Sequence, residues 1–259
     1  MTKAGRVVTL DNPLDEAKRL ISLADERGLQ VRLMGGLAFH ALVPEWNAPV
    51  DREGRDIDLA TRHADRRGVI DLLGAQGYEG DRRYNAVHGH KQLYYVDIER
   101  QRPVDVLIER FEMCHVFEFG DRLGRTGLTL PAAELFLSKV QIARINRKDM
   151  VDVLVLLSEV DITTDDAGLN IDRITSITSN DWGWWRTVIG NLDAIRHLIA
   201  GGLEPDVLDL GRPPRHSAAV QLDEVRRHID MAPKSVRWKT RARVGDRMSW
   251  YHEPEEIGH

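Results

Sequence analysis

The chain has 259 residues, a formal net charge of −5, 42% hydrophobic and 30% charged residues, and one cysteine, Cys114. These values describe an ordinary globular protein, with enough chain for one large core or for a core domain plus a smaller helical one. They exclude an intrachain disulfide, and they argue against a surface coated in basic residues while leaving room for a local basic groove. No apolar run approaches the roughly 20 residues of a membrane helix, and residues 1–6 are not followed by a signal-type apolar segment. The expectation is therefore no membrane partner and a cytoplasmic protein.

In chain order, Asn12 and Pro13 suit a helix start, and Leu14, Ala17, Leu20, Ile21 and Ala24 recur at helical spacing until Gly28. Residues 31–34 read as a short strand ending at Gly35-Gly36, followed by a helix over 37–42. A polar loop runs to Arg55. Residues 56–60 alternate acidic and apolar as a strand does, and a helix over 64–76 closes at Gly77. Residues 91–98 and 103–108 look like two strands of a hairpin, and 116–119 like another short one. From Pro131 the pattern turns helical. Helices are expected over 132–145, 148–160, 163–166, 181–200 and 221–229, with a loop at Pro213-Pro214. The division expected is a mixed α and β region over 1–125, a helical region over 126–230, and a basic-then-acidic tail over 231–259 that is partly disordered.

Three features carry candidate chemistry. A glycine pair opening a helix lets backbone N–H groups approach an anion, although such pairs are also common turns. Asp56 and Asp58 stand two apart, so on a strand both carboxylates point to one face, where two divalent ions about 3.5–4 Å apart are held; two aspartates in water at a strand end are the bland alternative. Asp105 sits inside the otherwise apolar run 103–108, where aspartate is disfavoured. Either a metal-bearing neighbouring strand or a solvent-facing edge explains it.

Taken in order, Met34-Gly35-Gly36, a spacer of 19 residues, Asp56-Ile57-Asp58-Leu59 and then Val104-Asp105-Val106 resemble the nucleotidyltransferase superfamily related to DNA polymerase β. Lys139, with Arg147-Lys148-Asp149-Met150-Val151-Asp152, is similar to the C-terminal motif of the AbiEii-like toxin nucleotidyltransferases, and Arg55 stands where that family tends to have an arginine. The resemblance spans roughly residues 30–157. It implies an α+β fold, with a small mixed sheet flanked by helices and a mainly α-helical C-terminal region. It also implies an enzyme that moves a nucleoside monophosphate from a triphosphate to an acceptor hydroxyl. Asp56, Asp58 and Asp105 would bind two Mg²⁺ ions, with Mn²⁺ as a substitute. Gly35, Gly36, Arg55, Lys139 and Asp149 would hold the nucleotide. Asp105, Lys139 and Asp152 would join the catalytic aspartates. The resemblance implies an RNA acceptor, the tRNA 3′ end, and a cognate antitoxin protein. The alternatives are transfer to a small aminoglycoside-type antibiotic and a binding module without turnover. The first calls for an acidic acceptor pocket; RNA calls for a basic groove.

Other features are read blandly. His88 and His90 form a loop pair without a third metal ligand, Trp182, Trp184 and Trp185 are core or interface rather than a stacking platform for bases, and Cys114-His115 lacks the partners of a nucleophile. The basic run 234–247 is a solvated tail, or one paired with the acidic stretch 253–256, as readily as an RNA contact.

Overall fold

The computed structural model describes residues 8–47, 56–124, 127–202 and 207–253. Two units emerge, one from residues 1–42, 53–111 and 118–130, the other from 43–52, 112–117 and 131–259. Together they give a mixed α+β chain with a five-stranded mixed sheet, flanking helices and a helical C-terminal region.

The first unit opens with helix α1 (Pro13–Glu26). The Asn12 side chain caps it by accepting from the amides of Leu14 and Asp15, and Pro13 takes a helical position that needs no donor. Ala17, Leu20, Ile21 and Ala24 are its buried face. Strand β1 (Val31–Met34) runs directly into α2 (Gly35–Leu42), so the glycine pair is the helix's first turn and not a loop before it. Strand β2 (Ile57–Thr61) follows, with Asp56 one residue outside it. A 3₁₀ turn at His63–Asp65 leads into α3 (Arg66–Ala75). Then come β3 (Glu79–Gly80), α4 (Arg82–His88), β4 (Gln92–Asp97) and β5 (Arg102–Ile108). The strand order is β1-β2-β5-β4-β3, with β2 and β5 parallel and the other neighbours antiparallel. β6 (Arg110–Glu112) and β7 (Val116–Glu118) form a two-stranded ribbon.

Alternation decides which face of the sheet is core. Ile57, Leu59, Val104, Val106 and Leu93 are 0–1% exposed, whereas Asp58, Asp105, Gln92 and Tyr94, on the opposite parity, are half-buried. Charge is also built into this unit: Arg102 and Asp97, both buried, pair at 3.0 Å, and Thr9 donates to the same carboxylate at 2.5 Å.

The second unit holds α5 (Ala132–Val140), α6 (Arg147–Glu159), α7 (Ile171–Asn180), α8 (Trp182–Ala200), α9 (Ala218–Met231) and α10 (Val236–Ala242). Helix α5 is its axis, packed against α6, α7 and α8 and buried at every residue from Ala132 to Ser138. Carbonyls left unpartnered at a buried helix end would be costly; Asn191 donates to that of Val140, the last residue of α5, and to that of Ile142 just beyond it, at 2.7 and 2.8 Å. Residues 163–166, expected as helix, are not one. Thr163 belongs to β8 (Ile162–Thr163), paired with β9 (Leu169–Asn170), and Asp165 turns the chain by accepting from the amide of Ala167. The run 234–247 contains α10 and a 3₁₀ turn at Gly245–Arg247. Arg55 and residues 254–256 lie outside the described residues.

The Asp97–Arg102 pair predicts a pH signature. Burial pushes the Asp97 carboxyl up, but the Thr9 hydroxyl, Arg102 and the Arg100 amide outweigh it and hold the carboxyl below its ordinary 3.8. The stabilisation is therefore complete above about pH 4 and fades as pH falls through the lower folded-state value. Replacing Arg102→Leu should cost about 3–5 kcal/mol at pH 7. The deficit should shrink in acid, as urea denaturation between pH 3 and 7 would show.

Candidate active site

The half-buried face of the first unit's sheet brings the predicted carboxylates together by register. Asp58 on β2 is the direct partner of Asp105 on parallel β5, and Asp58 is also the partner of Met34, the residue before Gly35. Neighbouring strands lie about 4.8 Å apart, so two like charges stand side by side, an arrangement that is unfavourable unless something offsets it. Asp56 stands two residues before Asp58, exposed at the strand's entrance.

Gly35 closes the site from the other side. Its φ is +65°, a conformation that favours glycine, and a Cβ there would overlap the Asp58 carboxylate. The glycine is required twice over, by the backbone angle and by the carboxylate packed against it. Gly36 has open space where a Cβ would project.

Sequence reasoning missed the other wall. Gln92 donates from Nε2 to Asp105 Oδ1 at 2.5 Å. Tyr94 is the β4 register partner of Asp105, and Tyr84 of α4 lies edge-on to Tyr94 with ring centroids 6.0 Å apart. Burial raises both phenols, and the Asp105 charge raises them further; Asp56 and Asp81 add to the effect on Tyr94. Three aspartates thus act on one tyrosine, and this wall lies in a negative field. The period-2 pattern of 92–97 was the available signal for Gln92 and Tyr94, whereas no periodicity marks the seven residues of α4.

Hard carboxylate oxygens on one face suit Mg²⁺, which binds through one or two carboxylates and completes its shell with phosphate and water. Among the described residues no group of three or more His, Cys, Asp or Glu is placed to hold a metal ion; the register brings Asp58 and Asp105 together, and Asp56 is not gathered with them into a three-carboxylate cluster.

Lys139, Asp149 and Asp152 come together in the second unit. Lys139 Nζ sits 2.5 Å from Asp149 and 2.9 Å from Asp152, all three side chains being largely buried. Asn146 positions Asp149, accepting from its amide and donating to its carboxylate. Burial works against the Lys139 charge, but the two aspartates prevail and raise its pKa above the ordinary 10.5.

Two stability predictions follow from this geometry. Gly35→Ala should lower the unfolding free energy by about 1–3 kcal/mol, while Gly36→Ala, which meets open space inside a helix, should be neutral within about 1 kcal/mol; parallel urea titrations check both. Lys139→Met should cost about 3–5 kcal/mol because it removes the cation between two buried carboxylates, a loss that thermal and urea unfolding would register.

Residues 17–104 match a family model described as aminoglycoside-2''-adenylyltransferase. The stretch begins inside α1, includes Gly35, Gly36, Asp56 and Asp58, and ends one residue before Asp105. No curated protein matches, and no solved structure does. Residues 17–104, about a third of the chain, are thus similar to a family of nucleotidyltransferases, and what that likeness supports is nucleotidyl transfer in general.

Proposed function

We propose that the protein transfers a nucleoside monophosphate from a nucleoside triphosphate to a hydroxyl of a small, cationic, aminoglycoside-type acceptor. The observation that carries this is the register of Asp58 with Asp105 beside the Gly35 turn, with Gly35 and Asp58 inside the segment similar to aminoglycoside adenylyltransferases and Asp105 one residue beyond it. That similarity, with the negative field around Tyr94, favours a cationic small molecule over the tRNA acceptor and antitoxin partner implied by the resemblance to AbiEii-like toxins.

Asp56, Asp58 and Asp105 would hold divalent cations, Mg²⁺ by the hardness of their oxygens. When bound, such ions neutralise the triphosphate and lower the pKa of an attacking hydroxyl. The chain's own groups do the rest. The amides at Gly35 and Gly36 open α2 and present N–H donors and the positive helix end to phosphate oxygens. Asp105, oriented by Gln92, takes the hydroxyl proton. The acceptor oxygen bonds to the α-phosphorus as the bond to the bridging oxygen breaks, and pyrophosphate leaves with that electron pair. Tyr94, half-buried and backed by the buried Tyr84 ring, gives an apolar face for a sugar ring, and Asp81 attracts ammonium groups.

Each α-labelled triphosphate, incubated with Mg²⁺ and either a panel of aminoglycosides or total RNA, tests this directly. Label should enter an aminoglycoside with release of pyrophosphate. Asp56→Ala, Asp58→Ala and Asp105→Ala should each slow transfer by about 10³-fold or more and leave the fold intact. An Asp58→Ala variant with the full rate would overturn the site; label entering RNA alone would overturn the acceptor.

A further inference from the structure

Residues 234–253 carry six lysines and arginines against two carboxylates, in a chain whose net charge is −5. The second unit sets this excess beside an aromatic cluster. Trp182 meets Trp250 with ring centroids 6.2 Å apart, and Trp185 meets Trp238 at 5.2 Å. The Arg241 guanidinium lies 4.6 Å from the Trp182 ring, and that of Arg186 lies 5.2 Å from the Trp250 ring. Gly183 makes the approach feasible, since a Cβ there would strike the carbonyl oxygen of Trp250. Trp250 is fixed further by donating from Nε1 to Thr187 Oγ1 at 3.1 Å.

Between the start of α8, α10 and the segment ending at His252 lies a cleft of about 820 Å³, whose walls include Trp182, Trp250, Tyr251, Arg237 and Arg241. Part of this construction serves the fold: Arg241 donates to the carbonyls of Gly245, Met248 and Ser249 and so ties down the last segment. Fastening does not account for the rest. Trp250 and Tyr251 are only half-buried, the Arg237 side chain is 84% exposed although it lies 3.6 Å from the Asp181 carboxylate that also lines the cleft, and Lys239, Arg243 and Arg247 are exposed on the same stretch of chain.

Half-open aromatic rings beside fixed and exposed cations suit a base with its phosphates. We propose that this cleft binds single-stranded nucleic acid, with bases stacking against Trp250 and Tyr251 while Arg237, Arg243 and Arg247 meet backbone phosphates. Exposed cations beyond the cleft suit a linear polyanion better than one isolated phosphate. A flat anionic bilayer cannot enter a concave opening. The binding does not depend on which hydroxyl, if any, receives a nucleotide from this protein.

The test is fluorescence anisotropy of a labelled 15-nucleotide oligouridylate titrated with the full-length protein at 50 and 200 mM salt. Saturable binding is expected, weakened about 20-fold by that salt step if three phosphates are neutralised. Arg237→Glu should weaken it at least about fivefold and flatten the salt dependence. Tyr251→Ala should weaken it about tenfold with an unchanged thermal melt, and Trp250→Phe should retain both fold and binding. Three outcomes overturn the proposal: no binding by the wild-type chain, affinity indifferent to both Arg237→Glu and Tyr251→Ala, or tighter association with phosphatidylserine vesicles than with the oligonucleotide.

Discussion

The parallel pairing of β2 with β5 is the constraint from which the candidate active site follows. It puts Asp58 directly beside Asp105, and the antiparallel partner β1 delivers Gly35 onto the Asp58 carboxylate. Two like charges held a strand spacing apart cost stability in isolation. The Gln92 amide meets part of that cost, and divalent cations with a triphosphate would lower it further. The apolar residues of opposite parity, Ile57, Leu59, Val104 and Val106, are fully buried and lock the register, because a slip of one residue would send the carboxylates into the core. Folding energy and site geometry thus rest on the same pairing.

Much of this was legible in the sequence wherever the signal is local. Asn12-Pro13 caps and starts α1, the alternation in 56–60 gives β2, and Met34-Gly35-Gly36 gives the sharp exit from β1. The glycines form the helix's first turn and not a preceding loop, because Gly35 adopts a positive φ and the helix starts at once. What was not legible depends on distant partners. The seven-residue α4 has no apolar stripe; its cap at Asp81 and the packing of Tyr84 beside Tyr94 hold it. α7, rich in β-branched Ile and Thr, has weak helical propensity and forms by burying Ile171, Ile174 and Thr178. Thr163 and Asp165 invite a helix cap when read locally, yet the pairing of β8 with β9 takes that segment instead.

The C-terminal residues illustrate the same limit. Read alone, 234–247 is a solvated basic run. Trp238 and Trp250 become meaningful only against Trp185 and Trp182, some 50 or more residues away along the chain. Likewise Lys139, Asp149 and Asp152 were legible as a motif, but not the burial that makes them a tight charge cluster. In both cases sequence supplied the chemical groups and long-range packing supplied their environment.

The central claim is that the open face carrying Asp58 and Asp105 beside Gly35 is where a metal-bound nucleotide sits. The most direct measurement is paramagnetic broadening of backbone amide signals on adding Mn²⁺ with a non-hydrolysable nucleoside triphosphate analogue. The account predicts selective loss of signals from Gly35, Gly36, Asp58 and Asp105, restored by excess Mg²⁺. Broadening that spares these four residues while affecting others would contradict it.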